Sequence, residues 1–300
     1  MTNKSLKFLF ALPLVALPAS MMAQPVYTDP VGAVSVQASG LSALHFPLQK
    51  AKIYQGTVSS VGGATVGLAS VPPLSGALYL QVLSGSAVGT VSSVVASDGS
   101  SVTTESAISG LAVGDSVAVR EHTSLGDLSA SIEGGAPDSA TITLYNLDGT
   151  ISNFEAFGGE WFDGDFTPSD DVIVAPGEGF VLALPSDITI TFVGSVSVDP
   201  VLVPLSTSLG FVGNLNPVPS LANPSSVGQL FGNLADSSTI TIYMGDGSFE
   251  VSNFLEAFGG EWFDPDFTPS DDLSISAPAA VAVFSAEPGV AVIPPAFVAP

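Results

Sequence analysis

Short segments in which apolar and polar residues alternate recur along the chain, and glycine, proline and aspartate separate them. An alternation with a period of two is typical of half-buried β-strands, and the longer period of an amphipathic helix is nearly absent. Short strands between turn residues predict an all-β fold of the sandwich or barrel type. The clearest strand candidates are residues 51–58, 78–83, 115–120, 188–193 and 239–243.

The region before residue 119 has strand and turn signals of its own. The pattern over 53–68 predicts a β-hairpin with Gly62 and Gly63 at its turn. Gly114 marks a further turn, and the strand after it resembles the closing strand of a small barrel. We therefore expect an N-terminal, β-barrel-like domain over residues 24–118.

The rest of the chain contains an internal duplication. SATITLYNLD at 139–148 returns as SSTITIYMGD at 237–246, and EAFGGEWFDGDFTPSDD at 155–171 returns as EAFGGEWFDPDFTPSDD at 256–272. The offsets are 98 and 101, so the second copy has gained three residues, and we assign the third to Leu255. Such a repeat predicts two related β-sandwich or barrel-like units.

Each unit is expected to begin with a short helix or turn, because SLGDL at 124–128 corresponds to SVGQL at 226–230. In the second copy this helix is predicted over 225–231, with Ser225 as its N-cap. The predicted boundaries of the two units are 119–220 and 221–300.

The first residues have the pattern of a secretory signal peptide. Lys4 and Lys7 precede an apolar stretch at 8–17, and small residues follow up to Ala23. This arrangement predicts a signal peptide over residues 1–23 and export to the periplasm, the cell surface or the medium.

The last segment, 277–300, is very apolar, but prolines interrupt it repeatedly. Proline breaks a helix that would span a membrane. We expect short buried strands in this segment and no membrane insertion of the mature chain.

Composition limits the partners and the chemistry. The chain has 28 acidic and 5 basic residues, which give a net charge of −23, and it has no cysteine. Such a charge disfavours nucleic acid and favours cations. The absence of cysteine excludes disulfides, cysteine nucleophiles and thiolate metal sites. After removal of the signal peptide, the basic residues that remain are Lys50, Lys52 and Arg120.

The duplicated acidic segment is the main candidate site. Calcium prefers six to eight oxygen ligands, and two aspartates in a turn with a later acid pair could supply several of them. We therefore predict possible calcium ligands at Asp163, Asp165, Asp170, Asp171, Asp264, Asp266, Asp271 and Asp272. The alternative is that these aspartates build turns and that the neighbouring aromatic residues anchor the core.

Two other kinds of site use the same segment. Trp161 and Trp262, with Glu160 and Glu261 beside them, suggest a platform on which a surface glycan could stack. A carboxylate-dependent hydrolase would need an acid pair such as Glu160 and Asp163.

The two histidines provide little support for catalysis. His45 and His122 both lie outside any recognisable nucleophile motif. The sequence thus predicts no catalytic constellation.

Six segments follow one another along the chain: TDPVGAVSV, FPLQKAKIYQGTVSSV, LYLQVLSGSAVGTVSSV, GLAVGDSVAVREHTSLGDL, APGEGFVLAL and FVGNLNPVP. In these segments and in their order, the chain resembles an uncharacterised family of exported proteins from verrucomicrobial-type bacteria. The resemblance implies a secreted, β-rich protein and supplies no catalytic residues.

Together these observations favour a noncatalytic, exported structural or adhesive protein of the cell surface or periplasm. Its exposed strand edges could also pair between copies of the chain. A calcium- or carbohydrate-binding surface module is the alternative, and a hydrolase is the third hypothesis.

Overall fold

The computed structural model describes residues 29–69, 71, 74–217, 225–244, 249–275 and 277–296. In this part of the chain, strands and two short helices form an all-β structure, which confirms the predicted fold class. The predicted signal peptide over residues 1–23 lies outside the described residues. Neither described helix is long and apolar enough to cross a membrane.

The elements follow one another along the chain as β1 Val31–Ala38, β2 Leu41–His45, β3 Lys52–Gly62, β4 Thr65–Leu68, β5 Leu78–Val82, β6 Val91–Ser97, β7 Ser101–Thr104, β8 Ser116–Glu121, β9 Thr123–Ser124, α1 Leu125–Ala130, β10 Thr141–Tyr145, β11 Ile151–Phe157, β12 Glu160–Phe162, β13 Ile173–Val174, β14 Gly179–Ala183, β15 Ile188–Ser195, β16 Val201–Leu205, β17 Leu209–Gly213, α2 Val227–Phe231, β18 Thr239–Tyr243, β19 Val251–Phe258, β20 Glu261–Phe263, β21 Ala280–Phe284 and β22 Gly289–Ile293.

Six strands form a closed barrel in the order β3-β4-β7-β6-β5-β8. Inward-facing valines and leucines fill it, among them Val58, Leu80 and Val119. The predicted hairpin is present, and its two-residue turn consists of Gly63 and Ala64, one residue later than predicted. The barrel strands extend from Lys52 to Glu121, so the barrel begins well after residue 24 and ends three residues beyond 118.

Two five-stranded sheets have equivalent strand orders. The first runs β12-β11-β10-β14-β2 and the second runs β20-β19-β18-β21-β17. One face of each sheet covers a core that also contains a helix and a two-stranded ribbon: α1 with β1 and β15, and α2 with β16 and β22. Trp161 lies in the first core and Trp262 in the second. The duplicated sequence therefore builds two equivalent sheets.

The strand pairing differs from the predicted boundaries. β1 and β2, which were assigned to the N-terminal domain, pair with β15 and β14 of the first repeat. The barrel segment is thus inserted between β2 and α1. Likewise β16 and β17, placed before residue 221 in the first unit, pair with β22 and β21. Such partners lie far apart in sequence, so local patterning does not reveal them.

Of the three residues that the second copy has gained, the third lies in a β-bulge of β19. Leu255 pairs with Ile240 and is buried, just as Phe154 pairs with Ile142, so the assignment of the insertion to Leu255 is wrong. The register instead shifts between Ile242 and Tyr243, and the pairing passes over Ser252. A bulge accommodates one extra residue without reversing the side chains that follow.

Both helices begin with a capping box. Ser124 caps α1 together with Asp127, and Ser226 caps α2 together with Gln229. The predicted N-cap Ser225 is therefore wrong by one residue. Its carbonyl accepts the N–H of Ile275, whereas the Ser226 hydroxyl accepts the Gln229 N–H at 3.4 Å.

The two sheets pack face to face through their inner strands. Ala43 and Val181 of the first sheet contact a cluster that contains Phe211 and Ala282 of the second. The close approach requires glycine in β17, because a Cβ on Gly213 would lie 1.9 Å from the ring of His45. The contacts join β2, β10 and β14 to β17 and β21, so β11 and β12 extend beyond the overlap.

Candidate functional site

Asp163 organises the loop that follows β12. Its Oδ1 accepts the N–H groups of Asp165 and Thr167, both at 2.9 Å. The Thr167 N–H holds the pKa of Asp163 below its ordinary value. Asp264 makes the same two bonds in the second copy, at 3.0 and 2.8 Å. The first aspartate of each segment therefore builds a turn, as the alternative hypothesis predicts.

Asp170 fastens the end of this loop to the core. Its carboxylate accepts the Trp161 N–H at 2.9 Å, and its carbonyl accepts the Gly126 N–H of α1 at 2.8 Å. A Cβ on Gly126 would lie 3.2 Å from that of Asp170, so the contact depends on glycine. The second copy repeats these contacts with Asp271, Trp262 and Gly228.

The tryptophans do not form the predicted stacking platform. The exposed fraction is 0% for Trp161 and 1% for Trp262, so neither ring presents a face to solvent. They pack against apolar residues in the two cores, where large aromatic side chains contribute most to burial. Glu160 and Glu261, the predicted neighbours of a glycan, are exposed at the first positions of β12 and β20.

The structure does not bring the predicted calcium ligands together. In the part of the chain that it describes, no three acidic or histidine side chains are placed to hold one metal ion. The geometry therefore gives no support to a ligand shell made of Asp163, Asp165, Asp170 and Asp171, or of Asp264, Asp266, Asp271 and Asp272.

Exposed phenylalanines are the unexpected feature of the segment. Phe157 and Phe166 are 67% and 78% exposed, and Phe258 and Phe267 have the same two values. Alternation along β11 explains Phe157, because Phe154 and Ala156 face the core and the residues between and after them face outward. The outward face belongs to the part of the sheet beyond the overlap, so nothing described covers it.

These rings line an open groove in each copy. The first groove has a volume of about 530 Å³ and is lined by Phe157, Phe162, Phe166, Asn153, Glu155 and Asp163, among others. The second groove has a volume of about 350 Å³ and is lined by Phe254, Phe258, Phe263, Phe267, Glu256, Asp264 and Pro265. The grooves occupy equivalent positions, and register places Phe254 where the first copy has Asn153.

Both groove loops hold a phenylalanine in a left-handed backbone conformation. Phe166 and Phe267 each have φ of 57°. This conformation costs an L-residue with a Cβ about 1–2 kcal/mol. Strain of this kind concentrates at functional sites, where the surrounding structure maintains it. The loops thus display an exposed aromatic ring at an energetic cost.

No described basic side chain lies at either groove. Lys50 pairs with Asp127, Lys52 pairs with Asp29 at 3.0 Å, and Arg120 also pairs with Asp29. Their acidic partners lie just before β1 and in α1. The groove carboxylates are therefore not neutralised by any basic residue that the structure describes.

The histidines are placed away from the grooves. His122 Nε2 lies 3.1 Å from the Ser93 hydroxyl, a contact that the sequence analysis did not find. Among the described residues, no acid binds its Nδ1 to complete a triad. His45 is fully buried between the sheets, and burial lowers its pKa to about 4. Neither ring is arranged as a general base beside an open site.

Comparison with protein-family models, curated proteins and solved structures gives no match to this chain. The resemblance to exported proteins of verrucomicrobial-type bacteria therefore stays a prediction. The function has to be argued from the grooves themselves.

Changing Phe166 to asparagine should leave the free energy of unfolding unchanged or raise it by about 1 kcal/mol, because asparagine tolerates the left-handed conformation. Urea denaturation measures the change. The half-buried Phe162 in extended backbone is the matched position, and Phe162→Asn should destabilise. A loss above about 1 kcal/mol in Phe166→Asn would identify that ring as a core anchor instead.

Proposed function

We propose that this protein is a noncatalytic, exported adhesive protein of the cell surface or periplasm, and that it binds through the two grooves. The observation that carries the proposal is the equivalent display of exposed phenylalanines and carboxylates on both sheets. Exposed apolar patches rimmed by polar residues are typical of interaction sites. Export is supported by the N-terminal pattern of residues 1–23.

The sheet packing supports binding by two linked sites. The inner strands of the two sheets form a shared apolar contact, which fixes one groove relative to the other. When a protein holds two sites in a fixed relation, binding at the second becomes intramolecular and avidity rises without new contacts. A surface that offers repeated ligands would be bound far better than a single ligand.

The groove chemistry favours binding over hydrolysis. A glycosidase acid needs a raised pKa, whereas the pKa of Asp163 is lowered by its turn hydrogen bonds. The carboxyl whose pKa is raised, Glu178, is buried away from the groove-lining residues. Asp163 therefore does not supply the tuned acid that the hydrolase hypothesis requires.

Strand edges offer a weaker route to adhesion than the grooves. The outer strands β12 and β20 are three residues long, and each begins with an exposed glutamate. Short edges with charged residues disfavour pairing between molecules. We therefore base adhesion on the grooves and expect sedimentation to find little assembly through these edges.

Retention on cell envelopes tests the proposal. Purified, labelled protein is mixed with intact cells and envelope fragments, and the bound fraction is measured. The variant carries serine at Phe157, Phe166, Phe258 and Phe267. The matched control carries serine at Val95 and Val113, which are 63% and 65% exposed on the barrel segment.

Retention of the wild type and of the valine control, with a loss of roughly tenfold in the phenylalanine variant, is the expected result. Equal retention of all three proteins would show that the grooves are not adhesive. Release of soluble fragments from the envelopes would overturn the noncatalytic assignment.

A further inference from the structure

The grooves combine aromatic faces with uncompensated negative charge. Four phenylalanines line each groove. In the first groove one of them, Phe154, is buried, and the other three rings lie with Glu155 and Asp163. In the second groove none of the four is buried, and they lie with Glu256 and Asp264. An aromatic face attracts a cation through its quadrupole, and a nearby carboxylate strengthens that attraction. An anionic ligand would be repelled by these carboxylates. A purely apolar ligand would remove water from them without offering a hydrogen-bond or ion-pair partner.

We propose that each groove binds the cationic side chains of a basic polypeptide. This inference rests on the proposed adhesive function and names its ligand. The net charge of −23 would steer a polycation toward the protein, and the described basic residues are all engaged in ion pairs elsewhere. Because their rings are exposed, both grooves are open to solvent. An open groove suits an extended polypeptide segment better than a small molecule that has to be enclosed on all sides.

The two grooves should differ in affinity. Phe254 occupies the position that Asn153 has in the first copy and is 44% exposed, whereas Phe154 of the first groove is buried. The second groove therefore presents one more exposed ring. Phe263 and Phe267 also lie with ring centroids 6.5 Å apart at an angle of 47°, which arranges two faces around one space. The second groove is thus the tighter site for a lysine or arginine side chain.

Calorimetric titration with a ten-residue peptide of alternating lysine and glycine tests the inference. The comparison ligand is the same peptide with every lysine acetylated, which keeps the alkyl chain and removes the charge. The titration uses about 0.15 M salt, where screening limits attraction to about 8 Å. We expect two bound peptides per chain with unequal affinities, and binding weakened by roughly tenfold or more on acetylation.

Variants separate the grooves from general charge attraction. The double variant Phe258→Ser, Phe267→Ser should remove the tighter site. The double variant Phe157→Ser, Phe166→Ser should remove the weaker site. Neither double variant changes the net charge of the protein. Glu133→Gln with Asp187→Asn removes two exposed acids outside both grooves and should change the affinity less than twofold.

Equal binding by the wild type and the phenylalanine variants would overturn the inference, because the attraction would then be nonspecific. Tighter binding of the acetylated peptide, or of a neutral oligosaccharide, would also overturn it. If the wild type binds envelopes through the phenylalanines but ignores the lysine peptide, the adhesive function stands and the cationic ligand fails.

Discussion

Replacing Arg120 with methionine is expected to lower the free energy of unfolding by about 3–5 kcal/mol. The guanidinium group is fully buried, with Nη2 2.5 Å from Asp29 and Nη1 2.7 Å from the Lys50 carbonyl. Methionine fills similar space but leaves the buried Asp29 carboxylate without one of its two cations. An uncompensated buried charge makes this loss large. Urea denaturation of the whole protein measures it.

The same junction joins the barrel to the residues just before β1 and β16, the first strands of the two ribbons. Asp29 precedes β1, Lys52 lies in β3, and Lys52 Nζ also lies 2.9 Å from Asp199, just before β16. Gln81 of the barrel donates to the Pro200 carbonyl at 3.0 Å. We therefore expect Arg120→Met to separate the unfolding of the barrel from that of the sheets and to broaden a single transition.

Lys50→Met is the matched control for this prediction. The Lys50 side chain and its partner Asp127 are 36% and 30% exposed, and a partly exposed pair contributes about 1 kcal/mol or less. A second variant, Asp29→Asn in the Arg120→Met background, should recover part of the stability, because Asp29 and Asp199 would otherwise share Lys52 as their one remaining cation. Equal losses from Arg120→Met and Lys50→Met would contradict the buried junction.

The sequence predicts two related units because the duplication is visible in it, and the structure has two sheets of equivalent strand order. Identical residues in β11, β12, β19 and β20 produce identical pairing, and the aspartates that follow make identical turns. It does not predict that the barrel is inserted into the first unit. That feature depends on pairing of Val31–Ala38 with Ile188–Ser195, and the register of such distant partners is set by the assembled core.

The predicted site and the proposed grooves use the same duplicated segment but different side chains. Trp161 is predicted from the sequence as a ligand-stacking residue because its ring is large and flat. Its place in the core follows from its position between outward-facing Glu160 and Phe162 on a short strand. A signal for Phe157 was present, because Ala156 faces inward and a period of two sends the next residue outward. The exposure of Phe166 follows from its left-handed conformation, which alternation does not reveal.

The sequence shows Lys50, Lys52 and Arg120 as the basic residues that follow the predicted signal peptide, but it does not show that Lys52 and Arg120 converge. Lys52 and Arg120 come from opposite ends of the barrel segment and meet at Asp29 because β3 pairs with β8 to close the barrel. This very acidic chain has few basic residues, and two of them, Lys52 and Arg120, form buried ion pairs with Asp29 beside the barrel. The grooves remain negative for the same reason.

Glu178→Gln should make stability less sensitive to a rise of pH from 4.5 to 7. The Glu178 side chain is buried, its Oε2 accepts the Ala175 N–H at 2.7 Å, and burial raises its pKa to about 7. The folded state therefore holds a proton that the unfolded chain releases near pH 4.5. The stability from this group is complete below pH 4.5 and is lost as pH rises through 7.

Glutamine resembles the protonated carboxyl and does not titrate. The free energy of unfolding of Glu178→Gln minus that of the wild type should therefore rise between pH 4.5 and 7, by about 3 kcal/mol in total. Burial lowers the pKa of His45 and of His122 to about 4, so both destabilise the fold as pH falls below 6.5. Because both proteins contain these histidines, their effect cancels in the difference.

Asp148 provides a control, because its negative charge is one of the causes that raise the pKa of Glu178. Asp148→Asn keeps an acceptor for the Thr150 N–H, which lies 2.9 Å from Asp148 Oδ1, while it removes the charge. In the Asp148→Asn background, the rise in the difference in free energy of unfolding caused by Glu178→Gln should be centred at a lower pH. A stability difference between Glu178→Gln and the parent that stays flat across this range would show that the buried carboxyl is ionised in the folded protein. In that case the contact between β14 and β17 would have to accommodate a full charge, although the equivalent position in the second copy is Ala279.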